Sequence, residues 1–414
     1  MKKQKKILKY SDLKKEELLV CVRKNKDFRK TAKRFVTEYT NLNDHYTLSE
    51  YEIADHYIDL NKYDINDLSE EDWKILDESV DIQDVVLRDR LLRNIELINA
   101  KELIYKVSKW FIEFFKEYKI KVLILHIVDN YTMDLMVRIA NIYNINVIGI
   151  CPIFFSGYKR ITIYGEHNKI RDVDSSEIEQ VKNELENNFK SYMTPSLAKA
   201  FKGSFYYYFK YKIKYIYLYV FLHKFLQKKN YDYYSIPYGA RVKSVSYFFP
   251  FKHYTSKLPE KSENNVYIPM HYHPEATIEY WSDNLKDVDY ISSLIEVVRR
   301  FSDQGYNVYL KEHPGMCFWQ NPSLYKKIKK IENVSIIHPF LNTCKVLDNF
   351  DNVVVWTGST GVEALLRNKK VFFMCSNYYF DKTSDDLYEA NKLTSEKQKE
   401  DLIERILSNT IPWN

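Results

Sequence analysis

Cysteine is scarce and carries no pattern: Cys21, Cys151, Cys317, Cys344 and Cys375 are the only five in 414 residues. Their scatter excludes a disulfide framework or a paired-cysteine zinc site and suits a reducing compartment. Long apolar runs are missing as well. No stretch approaches the roughly 20 apolar residues that a spanning helix needs. The longest, 215–222, is flanked by Lys214 and Lys224. The basic N-terminus runs into no apolar core, so no secretory signal is expected. Neither sign of charge dominates: a net charge of +6 is modest for a whole-chain nucleic-acid binder, and nucleic acid is not an expected partner. No internal repeat stands out beyond a loose likeness between two α/β halves.

What is present is an ordinary globular mixture, 45% hydrophobic and 29% charged, in a chain too long for one core. Three regions follow. Residues 1–195 read as an α/β domain, with a strand at 122–128, a helix at 132–143 and a second strand at 147–151. A long helix with one apolar face precedes them at 98–118. Residues 196–262 are a connector of different composition. Within it, 201–230 holds 12 Phe or Tyr and 7 Lys with no acid. Such interleaving fits a peripheral helix on an anionic membrane surface, Lys snorkelling while the rings sit at headgroup depth. The chain's general richness in Tyr and Lys offers a compositional explanation instead. Residues 1–34 hold 14 Lys and Arg against 4 acids, which reads as a solvated basic face.

Residues 263–414 carry the clearest pattern. Five short apolar runs, at 265–270, 306–311, 334–337, 352–356 and 370–374, alternate with helical stretches and predict a parallel sheet. Polar clusters follow the runs: His271-Tyr272-His273-Pro274-Glu275, Glu312-His313-Pro314, His338-Pro339, Thr357-Gly358-Ser359-Thr360-Gly361 and Cys375-Ser376-Asn377. In such sheets ligands bind at the carboxyl ends of the strands. The turn from Thr357 to Gly361 leads from a buried strand into a helix, where free backbone N–H groups and the dipole favour an anion. Gly358 and Gly361 would let a phosphate approach, and Ser359 and Thr360 would add hydroxyls. Glu363 has two readings. It has capping-box spacing to Thr360, or it accepts hydrogen bonds from ribose hydroxyls.

Lys311, His313 and Pro314 end another strand on the same edge, so His313 is expected to face the Gly358–Gly361 turn and to donate to phosphate oxygens. His271, His273 and Glu275 are expected to line the cleft; their spacing alone does not argue for a metal. In the N-terminal half, Asp129, Asp134 and Glu166 are candidates for a general base or nucleophile, against the plainer reading of each as a solvated or capping acid.

These motifs resemble the capsular polysaccharide synthesis family, which includes bacterial Kdo transferases. The resemblance rests on Tyr267-Ile268-Pro269-Met270-His271-Tyr272-His273-Pro274-Glu275-Ala276-Thr277, Lys311-Glu312-His313-Pro314 and Thr357-Gly358-Ser359-Thr360-Gly361-Val362-Glu363-Ala364-Leu365. It implies an α/β protein of GT-B type, two Rossmann-like domains facing a cleft, the donor bound to the C-terminal one. It further implies a metal-independent glycosyltransferase without a cofactor. Its donor would be a CMP-linked acidic sugar and its acceptor an oligosaccharide or lipid-linked glycan. Such an enzyme is expected in the cytoplasm, peripheral at the inner face of the membrane. Alternatives are a GT-B phosphotransferase using a CDP-linked polyol and a non-catalytic membrane adaptor of a polysaccharide assembly complex.

Overall fold

The structure, a computed structural model, describes residues 10, 12–22, 26–50, 53–63, 65–187, 250–273, 275–316, 320 and 322–413, with six single positions between 202 and 225. The aromatic and basic stretch 201–230 therefore lies almost wholly outside the described residues, and so does the membrane expectation attached to it. The chain divides into two compact units, one made of Met1–Ile178 with Ile403–Asn414, the other of Glu179–Leu402. Among the described residues no helix is long and apolar enough to cross a membrane.

The first unit is built on a seven-stranded sheet. Its strands are β1 (Leu18–Cys21), β2 (Tyr46–Ser49), β3 (His56–Tyr57), β4 (Val122–Leu125), β5 (Asn146–Pro152), β6 (Tyr158–Ile161) and, from the far end of the chain, the strand Thr410–Pro412. The first five run parallel. β1 and β4 are buried at every position, as central parallel strands covered on both faces must be. The helix Lys26–Thr40 turns Phe28, Ala32, Phe35 and Val36 inward, one residue or two per turn, against β1 and β4. The expected helices at 98–118 and 132–143 are Leu97–Glu117 and Tyr131–Ile142. Asn130 caps the latter by accepting from the Met133 N–H at 2.9 Å.

The second unit holds β7 (Asn265–Pro269), β8 (Asn307–Lys311), β9 (Val334–Ile337), β10 (Asn352–Val355), β11 (Lys370–Phe373) and β12 (Glu389–Asn391). Each of the five expected runs is a strand. Their order is β12-β11-β10-β7-β8-β9, all parallel except the edge strand β12. The helix Tyr290–Asp303 packs Leu294, Val297, Val298 and Phe301 onto the sheet. Glycine is rare here, nine in the whole chain, and asparagine takes the left-handed position between helix and strand at Asn41, Asn144, Asn333 and Asn368.

The domain reading needs one correction. Residues 263–414 do not stay together, because the helix Glu396–Ser408 begins in the second unit and ends in the first. The last strand, β13 (Thr410–Pro412), then pairs antiparallel with β6, and Ile411 enters the first unit's core. Arg171 Nε donates to the Thr410 carbonyl at 2.9 Å, and Arg34 lies over the Trp413 ring.

One glycine of β5 is fixed by its neighbours. A Cβ on Gly149 would lie 1.9 Å from the Thr162 carbonyl oxygen, which is backbone and cannot rotate away. Gly149→Ala should therefore destabilise the first unit by about 3 kcal/mol, the upper end of ordinary overpacking costs. Chemical denaturation checks this. A midpoint equal to that of wild type would show that β5 and the Thr162 segment separate freely.

Candidate functional site

The strand order places a topological switch between β7 and β10. From β7 the chain moves one way to β8 and β9, then crosses back to β10 and β11 on the other side. The loops leaving β7 and β10 therefore diverge and open a crevice at the carboxyl edge. His271 follows β7 and Gly358 follows β10. The two meet: a Cβ on Gly358 would sit 3.4 Å from His271 Cε1 and 3.5 Å from Nε2. His271 is held from behind by Tyr290, whose hydroxyl accepts the His271 backbone N–H at 2.9 Å. The Tyr290 and Trp356 rings stand edge-on at 5.3 Å, and Trp356 Nε1 donates to the buried Asp287 at 3.1 Å.

Register does the rest. Pro269 lies opposite Lys311 in the β7–β8 ladder, so the residues beyond it share one edge. Past Lys311 the side chains alternate. Glu312 turns into the core, fully buried, and accepts from the hydroxyls of Tyr254 and Tyr325. Burial pushes its carboxyl up to about 7. Lys311 and His313 go to the other side. Gly315 N–H donates to His313 Nδ1 at 3.1 Å, which leaves the proton of the neutral ring on Nε2. Tyr272 stands edge-on to His313 at 5.6 Å. Both histidines are only half-buried by surface area yet sit in dense protein. Burial, with His313 nearby, pushes His271 down to about 3. Burial, then the Lys311 ammonium, pushes His313 down to about 4. Near pH 7 both are neutral, each with one N–H to offer.

Lys311 is 4% exposed, and among the described residues its ammonium has one hydrogen-bond acceptor, Thr343 Oγ1 at 3.3 Å. Burial lowers it to about 8, against the pull of Glu363. Glu363 is also buried, and its Oε2 has no hydrogen-bond partner among the described residues. Burial raises its carboxyl to about 8, against Arg367 and Lys311. The capping reading of Glu363 is overturned. The helix starts at Thr360 with Ser359 as its cap residue, so the third helical position is Val362, and no side chain caps it. An unpaired buried carboxyl oxygen costs about 1–3 kcal/mol, and such groups in native folds have a reason to be there.

Other expected site residues fall elsewhere. Thr357 spends its hydroxyl on the Thr277 carbonyl at 2.6 Å, tying β10's exit to the helix Ala276–Glu279. Gly361 does not make room for a phosphate: the space a Cβ would take is filled by Tyr379 Oη at 2.2 Å and Val355 Cγ2 at 3.1 Å. Tyr379 in turn donates to the Gly358 carbonyl at 2.6 Å. Ser359 and Thr360 open the seven-residue helix Thr360–Leu366 beside the crevice. His273 packs on Tyr290, 5.3 Å between rings; Glu275 accepts from its neighbour Thr277, and Pro314 opens a short 3-10 turn, Pro314–Met316.

In the first unit, Asp134 is fully buried, bound by Arg138 Nε at 3.1 Å and by the Tyr164 hydroxyl at 2.7 Å. That is a structural ion pair, closed to a substrate hydroxyl. Glu166 accepts from the Ile163 and Tyr164 N–H groups and the Thr162 hydroxyl, and so pins its own turn. Asp129 is half-buried just beyond the carboxyl end of β4, where its backbone carbonyl takes a bond from Arg90. Sequence reasoning missed Tyr290, Thr343 and Tyr379. Each lies in or beside a loop at the right sheet edge, but nothing in its spacing marks it.

Comparison with known proteins gives the following. The sequence matches no curated protein. Among solved structures, it is similar to the Thermosulfurimonas dismutans KpsC beta Kdo 2,4 transferase at 13% identity, over 70% of this chain and 79% of that one, with a TM-score of 0.34. It is similar to UDP-GlcNAc 2-epimerase of Methanocaldococcus jannaschii at 12% identity, 87% and 83% coverage and TM-score 0.26. A glycosyl transferase family 9 protein of Veillonella parvula matches at 8% identity, 88% and 82% coverage and TM-score 0.22. Likeness this distant carries no argument about activity. The family model is another matter: that of capsule polysaccharide biosynthesis proteins matches residues 187–410, more than half of the chain and all of the sheet edge just described. This protein belongs to the capsule polysaccharide biosynthesis family.

Proposed function

We propose that the second unit binds a CMP-activated acidic sugar, of the Kdo or sialic-acid type, and transfers the sugar to a growing glycan or lipid-linked acceptor. The observation that carries this reading is the cluster at the switch point, where His271 lies against Gly358 and is electrostatically coupled to His313, and His313 in turn to Lys311. In the transfer the bond between the anomeric carbon and a phosphate oxygen breaks, and the electron pair stays on the phosphate. Negative charge therefore grows on the leaving group. Two neutral imidazole N–H groups and one ammonium, already held in place, suit that charge. Glu363 supplies the partner for the nucleoside. Its carboxyl, neutral near pH 7, can accept one ribose hydroxyl and give its own proton to the next.

His313→Ala should lower turnover about 10²–10³-fold while the protein stays folded, the usual effect of removing one donor to a developing oxyanion. Transfer assays with CMP-Kdo, CMP-sialic acid and CDP-glycerol test both donor and residue. Wild-type rates in the variant would sink the assignment, and a preference for CDP-glycerol would move it to polyol-phosphate transfer.

The site's charge should change sign in a narrow window. Below about pH 8 Lys311 is charged and Glu363 neutral; above it Glu363 is ionised and Lys311 is losing its proton. Arg367, the other cation near Glu363, is paired with Asp348 at 2.6 Å. CMP affinity should thus fall as pH rises through 8. Glu363→Gln should be nearly silent at pH 7, Glu363→Ala should cost about tenfold there, on the scale of one or two hydrogen bonds, and Glu363→Gln should flatten the alkaline loss. Calorimetric titration of CMP at both pH values decides it. Unchanged affinity in Glu363→Ala would remove Glu363 from the site.

A further inference from the structure

The second unit has another concavity, away from the switch-point crevice. It lies between the outward faces of the helices Tyr290–Asp303 and Pro322–Ile328 and encloses about 820 Å³. Its walls carry Arg299, Arg300, Lys327 and Lys330 against Glu296 and Asp303, four cations to two anions. None of the six forms an ion pair among the described residues. Arg300 is steadied instead by the Tyr388 ring, 5.3 Å from its guanidinium carbon. The floor is apolar, formed by Ile295 and Ile331. The wall from Ser292 to Asp303 is about 17 Å long, at 1.5 Å per helical residue. It starts two residues beyond Tyr290, the side chain that holds His271.

We propose that this groove holds an extended acidic glycan, a chain carrying carboxylate or phosphate groups at intervals. Unpaired guanidinium and ammonium groups recognise such anions, the guanidinium with two parallel bonds. Glu296 and Asp303 space the cations apart and accept hydrogen bonds from sugar hydroxyls, which a nucleic acid or a bare phosphate surface would not offer in that number. The shape also favours a chain over a bilayer. The apolar residues lie at the bottom of a concavity, where lipid tails do not reach, and Ile295 is 8% exposed. The groove reading does not depend on the donor reading, since it concerns binding in the absence of nucleotide.

The test uses the full chain and three probes without nucleotide: labelled oligosialic acid, a neutral dextran oligomer of equal length, and vesicles containing phosphatidylglycerol. Oligosialic acid should bind, and dextran should not. The triple variant Arg299→Ala, Lys327→Ala, Lys330→Ala should bind it about tenfold more weakly and with a flatter salt dependence, since exposed charge contacts are individually small and screened. The control Lys33→Ala, Lys119→Ala, with the same kind of exposed charge removed elsewhere, should bind as wild type does. CMP titration of the triple variant should match wild type, which shows the fold and the crevice intact. Equal oligosialic-acid affinity in variant and wild type overturns the proposal. So does an equal loss in the control, and so does a variant defect confined to vesicles, which would make the groove a membrane contact.

Discussion

The site depends on strand polarity. β7, β8 and β10 run parallel, so their carboxyl ends must lie on one edge, and the crossover from β9 back to β10 parts the loops there. Everything else at the crevice follows from where each loop is anchored. Tyr290 and Asp287 brace the β7 and β10 exits from behind, Thr277 takes the Thr357 hydroxyl, and Tyr379 closes over the Gly358 carbonyl. None of these contacts creates the crevice; they stiffen what polarity has already placed.

Placing four titratable groups in so dense a surround is costly. Lys311 and Glu363 are close enough to attract one another yet make no direct ion pair, and among the described residues Lys311 has one acceptor and Glu363 Oε2 no partner. A core optimised for stability would have paired them or replaced them with apolar side chains. Glu312 shows the contrast within one tripeptide: equally buried, it is satisfied by two tyrosine hydroxyls and needs no ligand. The two buried acids thus differ in what the fold gives them: two tyrosine hydroxyls for Glu312, and for Glu363 Oε2 no partner among the described residues.

Much of the second unit was legible in the sequence because its parallel strands are short, largely apolar runs, β10 buried at every position and β7 at all but its last, and because Gly, Pro and His mark their ends. The first unit was less so. β1 follows a charged run that hides it, and β2 and β3 are short and partly exposed. β13 pairs with a strand about 250 residues earlier, which no local pattern can announce. The errors at single residues share one cause. Spacing tells which residues are near one another along a helix or turn, not where the helix starts or what packs against it. Glu363 had capping spacing to a residue that is not the cap, and Gly361 is small because Tyr379 lies on it. The acids Asp134 and Glu166 were drawn into their own neighbourhoods by Arg138, Tyr164 and backbone amides that sequence does not place.

The return of the chain to its first sheet sets an order of events during synthesis. The strands β1 to β6 leave the ribosome long before β13 exists, with the 224 residues from Glu179 to Leu402 still to be made, a delay of about 10–50 s at ordinary elongation rates. For that interval the free side of β6 is an unpaired edge, open to any extended segment that comes near. The lag ends only when the whole second unit has been threaded out, so the first half of this protein is the last to be finished.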